Sequence, residues 1–260
     1  MISVQLLSLI ELLFIFTCVL LFSIESENNQ NLMSIFLIGD SVFARLYNEG
    51  FKQYYNCGDR DPYIDIEVEH SQSYPFQGLL CAERGVKRVG YSLHFGVSRP
   101  PYHPKYHRHE FDNSTNNSRT NILITVQEFI HRLEKSNDND SAVFMFMSNL
   151  WDAKKYLDKL GHPNLKDYLD QYQDDLTTLL IEMKHMLWKK NHQLVLSTMH
   201  RVRDVSIVHD FNIRMKYVAC YLQIPVFDQY TLLGENMTAY LKDRTHQTAT
   251  RSIMIAEQYL

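Results

Sequence analysis

The stretch IFLIGDSVFAR, residues Ile35 to Arg45, decides how the fold begins. Four apolar residues run into Gly39, and a short apolar run that ends at a glycine indicates a buried parallel strand. The residues that follow have helical spacing, and Asp40 or Ser41 can cap that helix. Ser41 is therefore predicted at the carboxyl end of a strand and the amino end of a helix. Open α/β sheets bind ligands at this edge, although capping alone would also explain both polar side chains.

The composition suits one large α/β domain. The chain has 260 residues, 45% of them hydrophobic, and a formal net charge of −4. Because this charge offers no electrostatic footprint for nucleic acid, we do not expect nucleic-acid binding. We predict that the globular domain covers residues 31–260 and that residues 1–30 form a separate N-terminal segment.

The N-terminal segment is apolar over residues 4–24 and is followed by the polar run ESENNQN. Its length approaches that of a membrane span, and its position is typical of a secretory signal peptide or an uncleaved signal anchor. Glu11 weakens a full span, and a buried helix of the fold is the alternative. We therefore expect a protein of the secretory pathway, either secreted or tethered to a membrane through residues 4–24.

Four Asn-X-Ser/Thr triplets support the secretory route, because such triplets accept glycans in exposed loops of secreted proteins. They begin at Asn113, Asn116, Asn139 and Asn236. Two of them lie in the polar stretch DNSTNNSRT and a third lies in SNDND. We predict both stretches to be surface loops, as glycosylation requires.

The cysteines allow at most one intrachain disulfide in the globular part. Of the four cysteines, Cys18 lies in the apolar N-terminal segment, which leaves Cys57, Cys81 and Cys220. We favour a bridge between Cys57 and Cys81, with three reduced and buried thiols as the alternative.

Apolar strands and amphipathic helices alternate along the rest of the chain. We predict strands at residues 35–38, 87–95, 142–147, 194–198 and 224–227. We predict helices at residues 42–55, 121–133 and 205–222, a long helix or a broken pair of helices at 165–190, and an irregular segment at 57–77. A last amphipathic helix after His246 is predicted from the apolar residues Ile253, Ile255, Ala256 and Tyr259. This alternation predicts an α/β fold in which a central parallel sheet of about five strands is covered by helices on both faces.

A long segment after the second predicted strand contains His103, His107 and His109. Imidazole is a common zinc ligand, but this segment offers no cysteine and no regular element that would fix a metal ion. We therefore interpret these residues as solvated loop histidines and expect neither a metal nor another cofactor.

Further polar residues fall at the same predicted edge of the sheet as Ser41. Asn149 follows the third predicted strand, and Asp243 and His246 precede the last helix. A carboxylate three residues before a histidine can bind its Nδ1–H, which leaves the other ring nitrogen to accept a proton. Taken one at a time, a capping asparagine and a surface histidine would explain these residues equally well.

The order of these three blocks resembles the SGNH, or GDSL-like, hydrolase superfamily, and most of all its PC-esterase-type branch. The blocks are GDSVFAR at residues 39–45, SNLWD at 148–152 and DRTH at 243–246. The resemblance spans residues 33–260. It implies a flavodoxin-like three-layer α/β/α sandwich and esterase or O-acyltransferase chemistry that needs no cofactor.

The resemblance also implies a role for each member of a catalytic triad. Ser41 would be the nucleophile and His246 its general base, while Asp243 would orient His246.

The oxyanion hole implied by the resemblance has three donors. These are the backbone N–H of Ser41, the side-chain amide of Asn149 and a glycine that follows the second strand. Gly96 is the best match for that glycine, with Gly90 as the second choice. Arg45 corresponds to an arginine that some branches carry after the serine, so it is a candidate substrate contact.

We therefore expect a serine-dependent acyl or acetyl esterase of the secretory pathway. Its substrate would be an acyl ester such as an acylated glycan or lipid. A carbohydrate O-acetyltransferase would use the same residues, and a glycoprotein that keeps the fold without turnover is the third interpretation.

Overall fold

A computed structural model of the chain describes residues 33–62, 76–94, 96–97, 118–136, 141–158, 164–202, 205, 207–234, 241 and 245–258. The predicted N-terminal segment, the four sequon asparagines, the three loop histidines and Asp243 lie outside these residues. No helix within the described ranges combines the length and the apolar character needed to span a membrane.

One mixed sheet forms the centre of the described structure. Its strands are β1 (Met33–Gly39), β2 (Cys57–Arg60), β3 (Phe76–Cys81), β4 (Val86–Leu93), β5 (Ala142–Phe146), β6 (Gln193–Ser197) and β7 (Val226–Phe227). Their order across the sheet is β2-β3-β4-β1-β5-β6-β7. Five neighbouring strands in this order, β4-β1-β5-β6-β7, are parallel to one another. They follow the strand order of flavodoxin-like sheets. The predicted α/β fold is therefore confirmed.

The sheet has two strands more than predicted. β2 and β3 form an antiparallel pair that extends the sheet beyond β4. β2 lies in the segment 57–77 that we predicted to be irregular, and β3 begins at the end of that segment and continues where we predicted no element. β2 escaped prediction because three of its four residues are exposed, so no apolar run marks it. The second predicted strand, β4, also ends at Leu93, two residues earlier than expected.

A disulfide joins the two added strands. Cys57 and Cys81 lie opposite each other in the β2–β3 register and are bonded. Cys220 is not part of a disulfide. The bridge fastens the exposed edge of the sheet to its neighbouring strand.

Helices cover both faces of the sheet. They are α1 (Ser41–Arg45), α2 (Lys52–Tyr54), α3 (Ser118–Lys135), α4 (Asn149–Asp158), α5 (Leu165–Trp188), α6 (Val208–Leu222), α7 (Gln229–Leu233) and α8 (Ala249–Glu257). A π-helical segment, Leu46–Phe51, connects α1 to α2. α8 packs against this segment and α2, while α3, α5 and α6 pack side by side. Because crossovers between parallel strands are right-handed, this strand order puts the two groups on opposite faces, which completes the three layers.

Aromatic rings fill the middle of the sheet. Phe36 of β1 packs against Phe129 of α3 and Phe144 of β5, with ring centroids 4.5 and 5.0 Å away. Gly90 is the register partner of Phe36, and a Cβ at Gly90 would lie 2.5 Å from that ring. Gly90 is therefore a packing residue in the middle of β4. An oxyanion donor would have to lie at the carboxyl edge of the sheet. The second choice for the oxyanion glycine, Gly90, is therefore wrong.

α8 approaches the π-helical segment closely at Gly50. A Cβ at Gly50 would lie 2.5 Å from the carbonyl oxygen of Ser252. The neighbouring α8 residues Ile255 and Ala256 are fully buried. The position of α8, and of the residues just before it, therefore depends on a contact that only glycine allows.

Gly50→Ala is expected to lower Tm, because the added methyl group meets a backbone oxygen that moves only if α8 moves. Overpacking of this kind costs about 1–3 kcal/mol, against a gain of up to ~1 kcal/mol from replacing glycine by alanine in a helix. In a domain of this size, Tm shifts by about 2–4 °C per kcal/mol. Thermal unfolding followed by circular dichroism measures the change.

Gly58→Ala is the matched control, since nothing lies within 4 Å of a Cβ at Gly58 in β2. Its Tm should stay within about 1 °C of wild type, as for other surface substitutions. A Gly50→Ala protein as stable as the Gly58→Ala protein would contradict the close packing of α8.

Candidate active site

The carboxyl ends of three parallel strands meet at one edge of the sheet. Gly39 at the end of β1 is the register partner of Leu93 in β4, and Ile38 is the partner of Phe146 in β5. The N–H of His94 donates to the carbonyl oxygen of Gly39 at 2.7 Å. Residues that directly follow these strands therefore lie near one another, as the sequence predicts.

Ser41 and His246 are in hydrogen-bond contact at this edge. Ser41 is the first residue of α1, and His246 lies three residues before α8. The Ser41 Oγ and the His246 Nε2 are 2.8 Å apart, although 205 positions separate the two residues along the chain. Both side chains are partly exposed. This distance lets the hydroxyl donate its proton to a neutral imidazole, as an activated serine must.

The side chain of Asp40 caps the N-terminus of α1, so the hydroxyl of Ser41 is not needed as the cap. The Asp40 Oδ1 accepts a hydrogen bond of 2.8 Å from the N–H of Val42. The carboxyl is buried, and this burial raises its pKa from 3.8 to about 6 against the opposing effects of the Val42 N–H and of the positive charges of His246 and Lys154. The residue that directly precedes Ser41 therefore carries a buried, titratable carboxyl group.

Backbone contacts fix the segment that carries His246. Gln247 forms an antiparallel bridge with Leu241. The side chain of Gln247 is fully buried and donates to the carbonyl oxygen of Val42 at 3.5 Å. Asp243, the predicted carboxylate partner of His246, lies outside the described residues, so its role stays a prediction.

Asn149 begins α4 and is fully buried in a polar network. Its Oδ1 accepts a hydrogen bond of 3.2 Å from the hydroxyl of Tyr172. Its Nδ2 donates to the Oδ1 of Asn212. The same Tyr172 hydroxyl lies 3.3 Å from the Oγ of Ser148.

Asn212 determines which way the amide of Asn149 points. The Asn212 Oδ1 accepts from the N–H of Met199 at 3.0 Å, and its Nδ2 donates to the carbonyl oxygen of Met199 at 2.7 Å. Since a backbone N–H can only donate and a carbonyl can only accept, the orientation of Asn212 is fixed. Asn149 must then present its nitrogen to Asn212, which leaves one Nδ2 hydrogen for another acceptor.

Gly96 lies in a turn held by a buried carboxylate. Gly96 has a φ of +85°, which favours glycine. The next N–H, that of Val97, donates to both carboxylate oxygens of Asp152 at 3.2 and 3.1 Å. A Cβ at Gly96 would lie 2.7 Å from the Oδ1 of Asp152. Because Asp152 occupies the N–H of Val97, the candidate oxyanion donor of this turn is the N–H of Gly96.

Arg45 has an ion-pair partner in its own helical stretch. Its Nε donates to the Oε2 of Glu49 at 2.9 Å, one turn further along the helix. A contact between Arg45 and substrate therefore stays a prediction.

No metal site is found among the residues that the structure describes. Within these ranges, no group of three or more histidine, cysteine, aspartate or glutamate side chains could hold an ion.

Asp152 falls in the SNLWD block, but sequence reasoning gave it no role. Sequence reasoning missed three further residues that support this edge. Tyr172 and Asn212 enter through the contacts described above, and His200 bonds the backbone just before His246. Two carried a signal that pattern reading could have used. Asn212 is a polar residue on the apolar face of α6, and His200 follows β6 just as Asn149 follows β5.

Sequence comparison gives no relatives, since no protein family profile and no curated protein matches the chain. Several solved structures resemble the fold. A protein assigned as an acylhydrolase from Bacteroides fragilis has 12% identity and a TM-score of 0.49, with 89% of this chain and 85% of that chain covered. A GDSL-like lipase from Bacteroides thetaiotaomicron has 12% identity and a TM-score of 0.46, with 87% and 85% covered. A catalytic mutant of an acetylxylan esterase from Geobacillus stearothermophilus has 11% identity and a TM-score of 0.42, with 86% and 90% covered. At such values, the activity of this chain has to be argued from its own residues.

Asp40→Asn is expected to raise Tm at pH 8 and to leave it nearly unchanged at pH 4. The folded protein holds the proton of Asp40 up to a pKa of about 6, whereas the unfolded chain releases it near 3.8. Stability therefore falls as the pH rises between these values, by at most about 3 kcal/mol, and stays lower above them. Asparagine is neutral at every pH and can still accept the hydrogen bond from Val42.

Thermal unfolding of both proteins at the two pH values measures this effect. The wild type at pH 4 is its own control, because its carboxyl is then mostly protonated. An equal Tm difference at pH 4 and pH 8 would show that ionisation of Asp40 is not its cause.

Proposed function

We propose that the chain is a serine-dependent carboxylic ester hydrolase, with Ser41 as nucleophile and His246 as general base. The observation that carries the proposal is the 2.8 Å contact between the Ser41 Oγ and the His246 Nε2. The alternative to a nucleophilic role is that Ser41 only caps the helix. Asp40, however, already provides the capping oxygen of α1. The hydroxyl of Ser41 is therefore not the helix cap, and it contacts an imidazole from the other end of the chain. A contact of this kind activates a serine.

The reaction would proceed in two halves. The Ser41 Oγ attacks the ester carbonyl while its proton moves to the His246 Nε2, which forms a tetrahedral oxyanion. The imidazolium then gives this proton to the departing alcohol, and the acyl group stays on Ser41. A water molecule, deprotonated by His246, attacks the acyl-enzyme and releases the carboxylic acid with Ser41 restored.

Three donors are proposed for the oxyanion. The N–H of Ser41 is the first of α1 and belongs to the four that a helix leaves unbonded within itself. The Nδ2 of Asn149 keeps one hydrogen after its bond to Asn212. The N–H of Gly96 is the third donor. Each such donor typically contributes about 3 kcal/mol to transition-state stabilisation.

On this proposal, the chain is a divergent member of the SGNH hydrolase superfamily, and Asp243 is the carboxylate that orients His246. Its substrate would be an acyl ester of a glycan or a lipid. The short spacing between Asp243 and His246 supports this role, because a loop of that length lets a carboxylate reach the Nδ1–H of the ring.

Ser41→Ala is expected to abolish both labelling and turnover. The full-length protein should react with a fluorophosphonate probe at Ser41 and hydrolyse p-nitrophenyl acetate. Without the hydroxyl, labelling disappears and kcat falls by roughly a thousandfold or more. Mass spectrometry of the labelled peptide and a spectrophotometric assay provide the two measurements.

Two further variants complete this experiment. Ser136→Ala, at the C-terminal end of α3 and away from the carboxyl edge, should leave both readouts unchanged. Asn149→Ala should keep the labelling site at Ser41 but lower kcat by about a hundredfold or more, because an oxyanion donor is lost. Hydrolysis by Ser41→Ala at the wild-type rate would refute the nucleophile, and an unchanged kcat in Asn149→Ala would refute the amide donor.

We also propose that the protein matures in the secretory pathway. The disulfide between Cys57 and Cys81 supports this, because disulfides persist in oxidising compartments and are rare in the cytosol. Expressed in a mammalian secretory host, the full-length protein should lose apparent mass on enzymatic removal of N-glycans. The variant Asn113→Gln should show a smaller loss, and an unchanged mass in the wild type would contradict this route.

A further inference from the structure

We infer that His200 is a positioning residue that holds His246 in line with Ser41, by donating a hydrogen bond to the carbonyl oxygen of Thr245. This inference rests on the proposed function, because it concerns how the proposed general base is held in place.

The contact between His200 and Thr245 is direct. The Nε2 of His200 lies 2.9 Å from the carbonyl oxygen of Thr245. Because a carbonyl can only accept, the Nε2 carries the proton. Thr245 immediately precedes His246, so this bond fixes the peptide group that leads into His246. The ring of His200, which supplies the donor, is fully buried.

The ring of His200 is a neutral donor at neutral pH. Burial, together with a smaller effect of the positive charge of His246, lowers its pKa from 6.5 to about 4, against the opposing effects of hydrogen bonds to Thr245 and Gln229. This neutrality suits the proposed reaction, in which His246 becomes positively charged when it takes the proton of Ser41. A lysine or arginine in the place of His200 would also donate, but its permanent charge would oppose that step.

The backbone on which His200 stands is itself fixed. The N–H of Thr198 donates to the carbonyl oxygen of Phe227 at 3.1 Å. The backbone of Met199 is bonded on both sides by the side chain of Asn212. Because the backbone around His200 is held by these bonds, the imidazole of His200 can hold Thr245 in place instead of moving with it.

The test compares two polar replacements that differ in reach. In His200→Gln, the amide nitrogen can occupy the position of Nε2 and still donate to Thr245. In His200→Asn, the amide reaches only the position of Nδ1, so the bond is lost. The rate constant of Ser41 labelling by a fluorophosphonate, with kcat and KM for p-nitrophenyl acetate, is measured on the full-length proteins.

We expect His200→Asn to slow labelling and to lower kcat by between about tenfold and a hundredfold, because a small misplacement of a catalytic group has effects of this size. KM should stay unchanged, since His200 does not touch the substrate. His200→Gln should stay within about threefold of wild type. Equal rates for the two variants, whether fast or slow, would overturn the inference.

His192 provides a matched control at the opposite edge of the sheet. Its Nδ1 accepts a hydrogen bond of 3.3 Å from the N–H of Ala142, so it too joins an imidazole to the backbone. His192→Gln removes this bond and should lower Tm without slowing the labelling of Ser41. A loss of labelling as large as that in His200→Asn would mean that general destabilisation is the cause, and the inference would fail.

A measurement on the wild type keeps the inference testable if the variants do not fold. Nitrogen-15 correlation spectra of histidine side chains at pH 7 should show a neutral His200 with its proton on Nε2. An imidazolium, or a ring protonated on Nδ1, would overturn the inference. A wild-type protein that fails to react with the probe would instead refute the proposed function, while the spectrum would still report the contact.

Discussion

The hydrogen bond between Ser41 and His246 is the contact to which every other feature of the site refers. It joins the turn after the first strand of the sheet to the segment before the last described helix. A single hydrogen bond stabilises a protein by only about 1 kcal/mol, so it cannot by itself hold two distant segments together. Burial of one large apolar side chain contributes about 1.5–3 kcal/mol. The buried face of α8 therefore contributes more than the hydrogen bond to holding the two segments together.

The segment that follows β6 supports the site from two directions. The backbone of Met199 binds the side chain of Asn212, which in turn holds the amide of Asn149. The next residue, His200, binds the backbone beside His246. The groups proposed to stabilise the oxyanion and to move the proton thus depend on neighbouring residues of one short stretch. Buried polar networks of this kind are rigid when every member has its partner and costly when one is lost.

Physical rules explain which parts of this architecture could be predicted. Strands buried on both faces leave continuous apolar runs, so the sequence revealed the five parallel strands. β2 is an edge strand, where exposure removes that signal. The order of the motifs predicted which residues share the carboxyl edge, but only coordinates give the distance between Ser41 and His246. The roles of Asn212 and His200 depend on contacts between elements far apart in sequence, which no local pattern contains.

The placement of His246 just ahead of α8 has a consequence for how this protein would fail under stress. α8 is short and is secured where Gly50 lets it approach the π-helical segment. Short elements at the periphery of a sheet detach through local opening at a lower free energy than the core. Warming would then separate the imidazole from the hydroxyl while the sheet stays folded, so the proposed activity would be lost before the protein unfolds.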